Sequence, residues 1–242
     1  MANARRRTTL WLTIFGLLYA AAIIASYTFR ARGVDAVFEG LAASSARAEI
    51  QQVIASRRWN ASLGGVYALV DSGAMPNPYL TDPLRDVTTA EGLALTKINP
   101  AYMTRLIAET LAKEQGLRIH LTSLKPINPG NRGDAFEQAA LARFEQGAPE
   151  AFAHDAAAEG GPRFRFMSPL KTDKPCLNCH AVQGYTLGSV RGGVTVDFSY
   201  APYADAAAKM RRELLLSHLT AFLGGALLLA LVGLLLDDPA RA

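Results

Sequence analysis

Within five consecutive positions, Cys176-Leu177-Asn178-Cys179-His180, the chain places both of its cysteines and one of its four histidines. Three chemistries use thiols and an imidazole at such spacing. A zinc site needs four ligands, and no further Cys-x-x-Cys or His-x-x-x-His pair completes one. A redox disulfide of the thioredoxin kind opens a helix in a βαβ unit, whereas strand-like stretches lie on both sides here. Covalent haem attachment asks for two thiols three positions apart, to add across the haem vinyl groups, and a histidine directly after the second to bind iron. Cys176 and Cys179 as thioether donors, with His180 as proximal iron ligand, suit one haem c in every feature. A disulfide and a zinc site are the weaker alternatives.

That chemistry belongs outside the cytoplasm, so the segments that set the compartment come next. Leu10 to Phe29 and Leu214 to Leu236 are runs without a charged side chain, each long enough to cross a hydrocarbon core of about 30 Å as a helix. The first run exceeds the apolar core of a signal peptide, so an uncleaved anchor is expected; cleavage is the rival reading. Arg5, Arg6 and Arg7 precede it and belong on the cytoplasmic side. The expected layout is a cytoplasmic N-terminus at 1–9, a first span at 10–29, a periplasmic domain at 30–212, a second span at 214–236 and a cytoplasmic tail at 237–242. The tail, with Asp237, Asp238 and Arg241, holds no output domain, so the output is expected on another polypeptide, with a truncated sequence or a protein that acts without one as the alternatives. The membrane is bacterial and inner in this reading. A net charge of +4 with no long basic stripe argues against nucleic acid as a partner.

The periodicity of the exported part predicts an α+β module with an antiparallel sheet and flanking helices. Val34, Val37, Phe38, Leu41, Ala48 and Ile54 form an apolar stripe, continuing the first span as a helix to about Arg57. Strands are expected at Gly64–Val70, Glu91–Ile98, Leu117–Leu124, Arg163–Leu170 and Val190–Tyr200. Asn99-Pro100 opens a helix that Gly116 stops, with Met103, Leu106, Ile107, Thr110 and Leu111 on one stripe. A shorter helix carries Phe136, Ala140 and Phe144. The cysteine motif and His154 both read as loop.

The stretches RRWNASLGGVY, NPYL, NPAYMTR, HLTSLKPINPGN with FEQAALARFEQG, and MSPLKTDKPCLNCHAVQGYTLGSVRGGVTV run in order from Arg57 to Val196. In these the chain resembles a family of c-type haem domains with a PAS-like fold, found outside the membrane in front of histidine kinases, diguanylate cyclases and chemoreceptors. The resemblance implies that Cys176 and Cys179 carry the haem, that His180 is its proximal ligand, and that the domain senses redox state or a small haem ligand. A membrane-tethered electron carrier is the alternative. No nucleophile–base pair or paired carboxylates stand at meaningful spacing, so no enzyme is expected.

Some members of that family use a cysteine as second axial ligand, but here both are taken by attachment. Met103 and His120 are the distal candidates; His154, Met167 and Met75 are weaker ones, and the position can also be empty or hold water. Arg163 and Arg165 share one side of a strand and are candidates for the haem propionates, ahead of Arg132 and Lys125. Asn128, Pro129 and Asn131 read as loop geometry. The helix after Arg30, with Gly224, Gly225 and Gly233 in the second span, suggests a homodimer.

Overall fold

The structure, a computed structural model, describes Ala2 to Leu236 except Ala157. The side chains of residues 2–5, Asp71, Asn178 and Cys179 lie outside the described set, as do the expected cytoplasmic tail and the side chain of Arg5. Two compact units are formed, Met1–Leu41 with Pro202–Ala242, and Ala42–Ala201.

The first unit pairs the N-terminal part of α1 (Ala2–Ser62) with α5 (Ala201–Leu236). Each helix is long and apolar enough to cross a membrane, and Leu17, Leu18, Leu227 and Leu228 face outward. Polar groups bridge the pair. Tyr19 donates its hydroxyl to the Ala221 carbonyl (2.5 Å) and stacks on Phe222. His218 Nε2 meets Ser26 Oγ at 3.1 Å, and Arg211 pairs with Asp35. A side chain at Gly225 would collide with the Tyr19 ring, and one at Gly233 would press on Leu12. Those two glycines therefore serve contacts inside the chain, while Gly224 is open.

In the second unit α1 continues past Arg57 to Ser62. The expected stripe holds only in part: Val34 is buried and Phe38 and Ile54 are partly so, but Val37 and Leu41 are half exposed and Ala48 is exposed, whereas Ala42, Ala46, Ile50 and Val53 are buried. Steps of four, four and three residues keep these on one face, and the next steps land on Arg57 and Asn60. Asn60 is fully buried and donates to the Ile98 carbonyl (3.0 Å).

Among the described residues, seven strands form two antiparallel sheets, two more strands than expected. The smaller orders β1 (Val66–Leu69), β3 (Ala94–Ile98) and β2 (Asp86–Thr88) as β1-β3-β2. The larger orders β4 (Arg118–Thr122), β7 (Val190–Ser199), β6 (Arg163–Lys171) and β5 (Ala151–Asp155) as β4-β7-β6-β5. His154, expected in a loop, lies in β5, where its ring meets Phe164 and Tyr200 edge-on. Short polar strands such as β2 and β5 carry too little alternation to stand out from loops.

Local signals explain the helices. The Asn99 side chain accepts from the Tyr102 amide at the start of α2 (Pro100–Gln115), and Gly116 ends it at φ 66. Asp134 and Glu137 form a capping box on α3 (Ala135–Glu145), which satisfies two amides that would otherwise lack partners. One face of the larger sheet buries Phe164, Phe166, Val194 and Val196 completely, with the Arg47 guanidinium 5.3 Å above the Phe166 ring. On the other face Met167 packs with Ala140, Leu141, Phe144 and Ala151. Full burial of side chains this size is worth about 1.5–3 kcal/mol each, so both faces of the sheet hold it in place.

Candidate functional site

Between β6 and β7 the chain leaves the sheet, and the exit is closed by its own backbone. The Thr172 amide donates to the Ser189 carbonyl and the Gly188 amide to the Thr172 carbonyl, both at 2.9 Å; Thr172 itself is 1 % exposed. The cysteine motif, expected as loop, lies in this excursion as a short helix, α4 (Lys174–His180), continued by a 3-10 turn at Ala181–Gln183. Pro175 in the first turn suits a helix start, where an amide hydrogen is not needed. Positions three apart on a helix share a face, so α4 brings the backbones of Cys176 and Cys179 to one side. The Cys176 thiol is free and partly buried; the Cys179 side chain lies outside the described residues.

His180 Nδ1 is held by the Gln183 side-chain oxygen at 2.6 Å, and the Tyr185 ring stands edge-on with centroids 6.4 Å apart. Burial, followed by the charges of Arg191 and Arg57, lowers the His180 pKa below 6.5, so the imidazole is neutral near pH 7. A neutral ring whose Nδ1–H is donated keeps its lone pair on Nε2.

Arg57 reaches this site from the buried face of α1. Its Nη1 donates to the Pro100 carbonyl (3.0 Å) and to Thr104 Oγ1 (3.1 Å), both neutral oxygens. Burial, with Arg191 close by, lowers its pKa to about 10, and the Cys176 thiol is near enough to act against that shift. Next along α1, Arg58 pairs with Asp173 in front of α4 (3.4 Å). Arg57, Gln183, Tyr185 and Arg191 carry no motif that singles them out. Arg57 was legible in one way: it is a charge on a helix stripe otherwise made of Ala42, Ala46, Ile50 and Val53.

The remaining candidates lie elsewhere. His120 Nδ1 contacts both Glu137 carboxylate oxygens (2.9 and 3.0 Å), and its Nε2 faces the Gly130 carbonyl (3.0 Å). Two acceptors require both ring nitrogens to carry hydrogen, so His120 has no lone pair to offer an iron. Glu137 is its main cause for a pKa raised above 6.5. Met103 is partly buried in an apolar groove with Val53, Ile107, Leu111 and Ile119. Met167 is spent in the core and Met75 is 65 % exposed.

Arg163 and Arg165 do share a face. However, they lie eight and six positions before Lys171, the end of β6 that adjoins α4, roughly 26 and 20 Å along an extended strand. Arg163 is bound to Asp197 (2.5 Å) and Arg165 to Asp134 (2.7 Å), so neither is placed at the motif. Lys125 and Arg132 are exposed. Asn128 accepts from the Gly130 amide, and the Asn131 carbonyl receives the Ser123 amide and the Thr122 hydroxyl. These residues shape the loop.

The sequence profile of the family described as Tll0287-like matches residues 36–199. Among solved structures, the cyanobacterial heme-protein Tll0287 is similar at 19 % identity, with a TM-score of 0.44, over 66 % of this chain and 95 % of that one. No curated protein matches the chain.

Proposed function

Because this chain belongs to the Tll0287-like family, we propose that it is a haem protein of the c type, in which Cys176 and Cys179 hold one haem as thioethers and His180 binds its iron. The observation that carries the reading is the α4 turn, where the two cysteine backbones share a side and His180 follows with Nδ1 already engaged. The surrounding residues fit such a group. Gln183 fixes the His180 tautomer, a support that iron-binding imidazoles generally have. Arg57, held among the described residues by neutral oxygens, would meet a propionate carboxylate through a charge-assisted hydrogen bond. Haem c bound there would supply a one-electron iron couple and a coordination position for a small ligand. Met103 is the distal candidate that keeps its donor atom unspent.

The test is expression with a cytochrome c maturation system. A haem-staining band should survive denaturing electrophoresis and vanish in Cys176→Ala/Cys179→Ala. A band that persists in the double variant ends the reading.

In this proposal the chain is a sensor of redox state or of a small haem ligand, with a PAS-like domain in the periplasm. Two spans anchor it in the inner membrane, and a separate kinase, cyclase or chemoreceptor provides the output. Arg57 belongs to α1, the helix that also contains Leu10–Phe29, so a charge change beside Arg57 acts on a membrane-linked helix; this favours sensing over electron carriage. No catalytic step is assigned to any residue. The proposed unit is a homodimer along α1, where Val37 and Leu41 are 54 and 50 % exposed. Single cysteines from Val34 to Ala48, placed in the variant lacking Cys176 and Cys179, should crosslink in native membranes with a period near 3.5 residues. Uniformly low yield would exclude this interface.

A further inference from the structure

On the α3 side of the larger sheet lies a polar cavity of about 240 Å³, at the opposite end of β6 from the cysteine turn. It could hold several waters, since one occupies about 30 Å³ in the liquid, or a small solute. Its carboxylates are already engaged. Asp197 is bound by Arg163 (2.5 Å), Asp134 by Arg165 (2.7 Å), and Glu137 by the doubly hydrogen-bonded His120 (2.9 Å).

The cations are not all used. Arg132 lines the cavity and makes no ion pair or hydrogen bond through its guanidinium among the described residues. Arg118 reaches Asp197 at no less than 4.0 Å, a carboxylate Arg163 already holds. Three carboxylates line the cavity against three guanidiniums and one imidazolium, and Arg163, which binds Asp197 from outside the lining, brings the local excess to two positive charges. At the cavity floor Thr195 is 2 % exposed, and its hydroxyl stands beside the Glu137 carboxylate, whose pKa it helps to lower, without a hydrogen bond of good geometry. Arg165 Nε is likewise buried without an acceptor. An unsatisfied buried donor costs about 1–3 kcal/mol, and guanidiniums pair well with planar or tetrahedral oxyanions.

We propose that this cavity binds a small dianion, a dicarboxylate of about four carbons or inorganic phosphate, held by Arg118 and Arg132 at its mouth and by Thr195 and Arg165 at its floor. It is a second input to the domain and does not depend on the haem reading.

Calorimetric titration of the full chain in detergent, at low ionic strength, with succinate, inorganic phosphate and acetate tests it. One of the two dianions should bind with one-to-one stoichiometry, at least tenfold more tightly than acetate, and which one binds identifies the class. Arg132→Gln, on an exposed residue whose guanidinium has no partner among the described residues, should weaken that binding at least tenfold, and Thr195→Val should weaken it measurably. Arg57→Gln should leave it unchanged, which separates this cavity from the cysteine turn. Absence of saturable binding by either dianion, acetate binding as tightly as the dianions, or binding that survives both Arg132→Gln and Thr195→Val would overturn the proposal. A loss on Arg57→Gln equal to that on Arg132→Gln would overturn it too, by moving the anion to the other site.

Discussion

Arg57 and Arg165 are both arginines drawn inside the same compact unit, yet they are accommodated in opposite ways. Arg165 lies 2.7 Å from Asp134 and 3.9 Å from Glu137, with its guanidinium 4.7 Å above the Phe136 ring. Arg57 has a backbone carbonyl and a threonine hydroxyl, burial and then a neighbouring arginine that lower its pKa, and no carboxylate partner among the described residues. Withdrawing a cation from water is costly unless an anion compensates it. The Arg165 network brings its own anions. In the haem reading proposed above, the propionates of a haem held on α4 would supply the anion that the Arg57 site lacks among the described residues.

This contrast breaks most sharply by a change of sign. In the variant lacking Cys176 and Cys179, which cannot attach haem, Arg57→Leu removes a desolvated charge and should leave stability unchanged or raise it. In haem-loaded protein the same substitution should destabilise, by the worth of a charge-assisted hydrogen bond, about 1.5–3 kcal/mol. At about 2–4 °C per kcal/mol for a domain of this size, the melting temperature should fall by roughly 3–12 °C. Melting all four proteins by circular dichroism gives the coupling directly. A coupling indistinguishable from zero would remove Arg57 from the haem site and leave it as a strut between α1 and α2.

The two sites also differed in how far the residues announced them. The α4 motif is local in sequence, and its chemistry depends on spacing, so Cys176, Cys179 and His180 stood out before any fold was known. The two long apolar helices and the capped helix from Asn99 to Gly116 were legible for the same reason, since their signals lie within one or two turns. Arg57 is brought to His180 across more than a hundred positions by the buried face of α1, which no local window records. The face itself was legible only in part: of the expected stripe Val34 is buried but Val37, Leu41 and Ala48 are not, and the buried stripe from Ala42 to Val53 begins with alanines, which give weak contrast. Arg163 and Arg165 were correctly paired on one face, but their distance from Lys171 along β6 depends on where the strand ends. The two acceptors of His120, Gly130 and Glu137, come from segments ten and seventeen residues away, and they decide its protonation.

The smaller effect concerns the site that carries its own anions, and it is read through pH. Burial, the largest single influence, would raise the Glu137 pKa, but the hydrogen bond and charge of His120 together with Thr195 and the Asp134 amide outweigh it, and the pKa falls below 4.5. The same bond is the largest cause of the rise at His120. A raised histidine contributes stability that is complete below its unfolded value of about 6.5 and is lost as pH climbs through the folded value. A depressed carboxylate contributes stability that is complete above about 4.5 and is lost as pH drops through the folded value. The pair therefore contributes most between about pH 4.5 and 6.5. Glu137→Gln keeps the side-chain length and an oxygen for the Asp134 amide, but leaves His120 and Arg165 facing a neutral group. Glu137 is 2 % exposed while His120 is 39 % exposed in its side chain, so solvent screening limits the histidine's share. The expected loss is about 2 kcal/mol near pH 5.5, or roughly 4–8 °C in melting temperature, shrinking toward pH 9 and toward pH 3. A loss of equal size at pH 5.5 and pH 9 would mean that Glu137 acts as a helix cap alone and that His120 carries no charge in the folded protein. That outcome would also reduce the charge excess of the cavity by one and narrow its choice of anion.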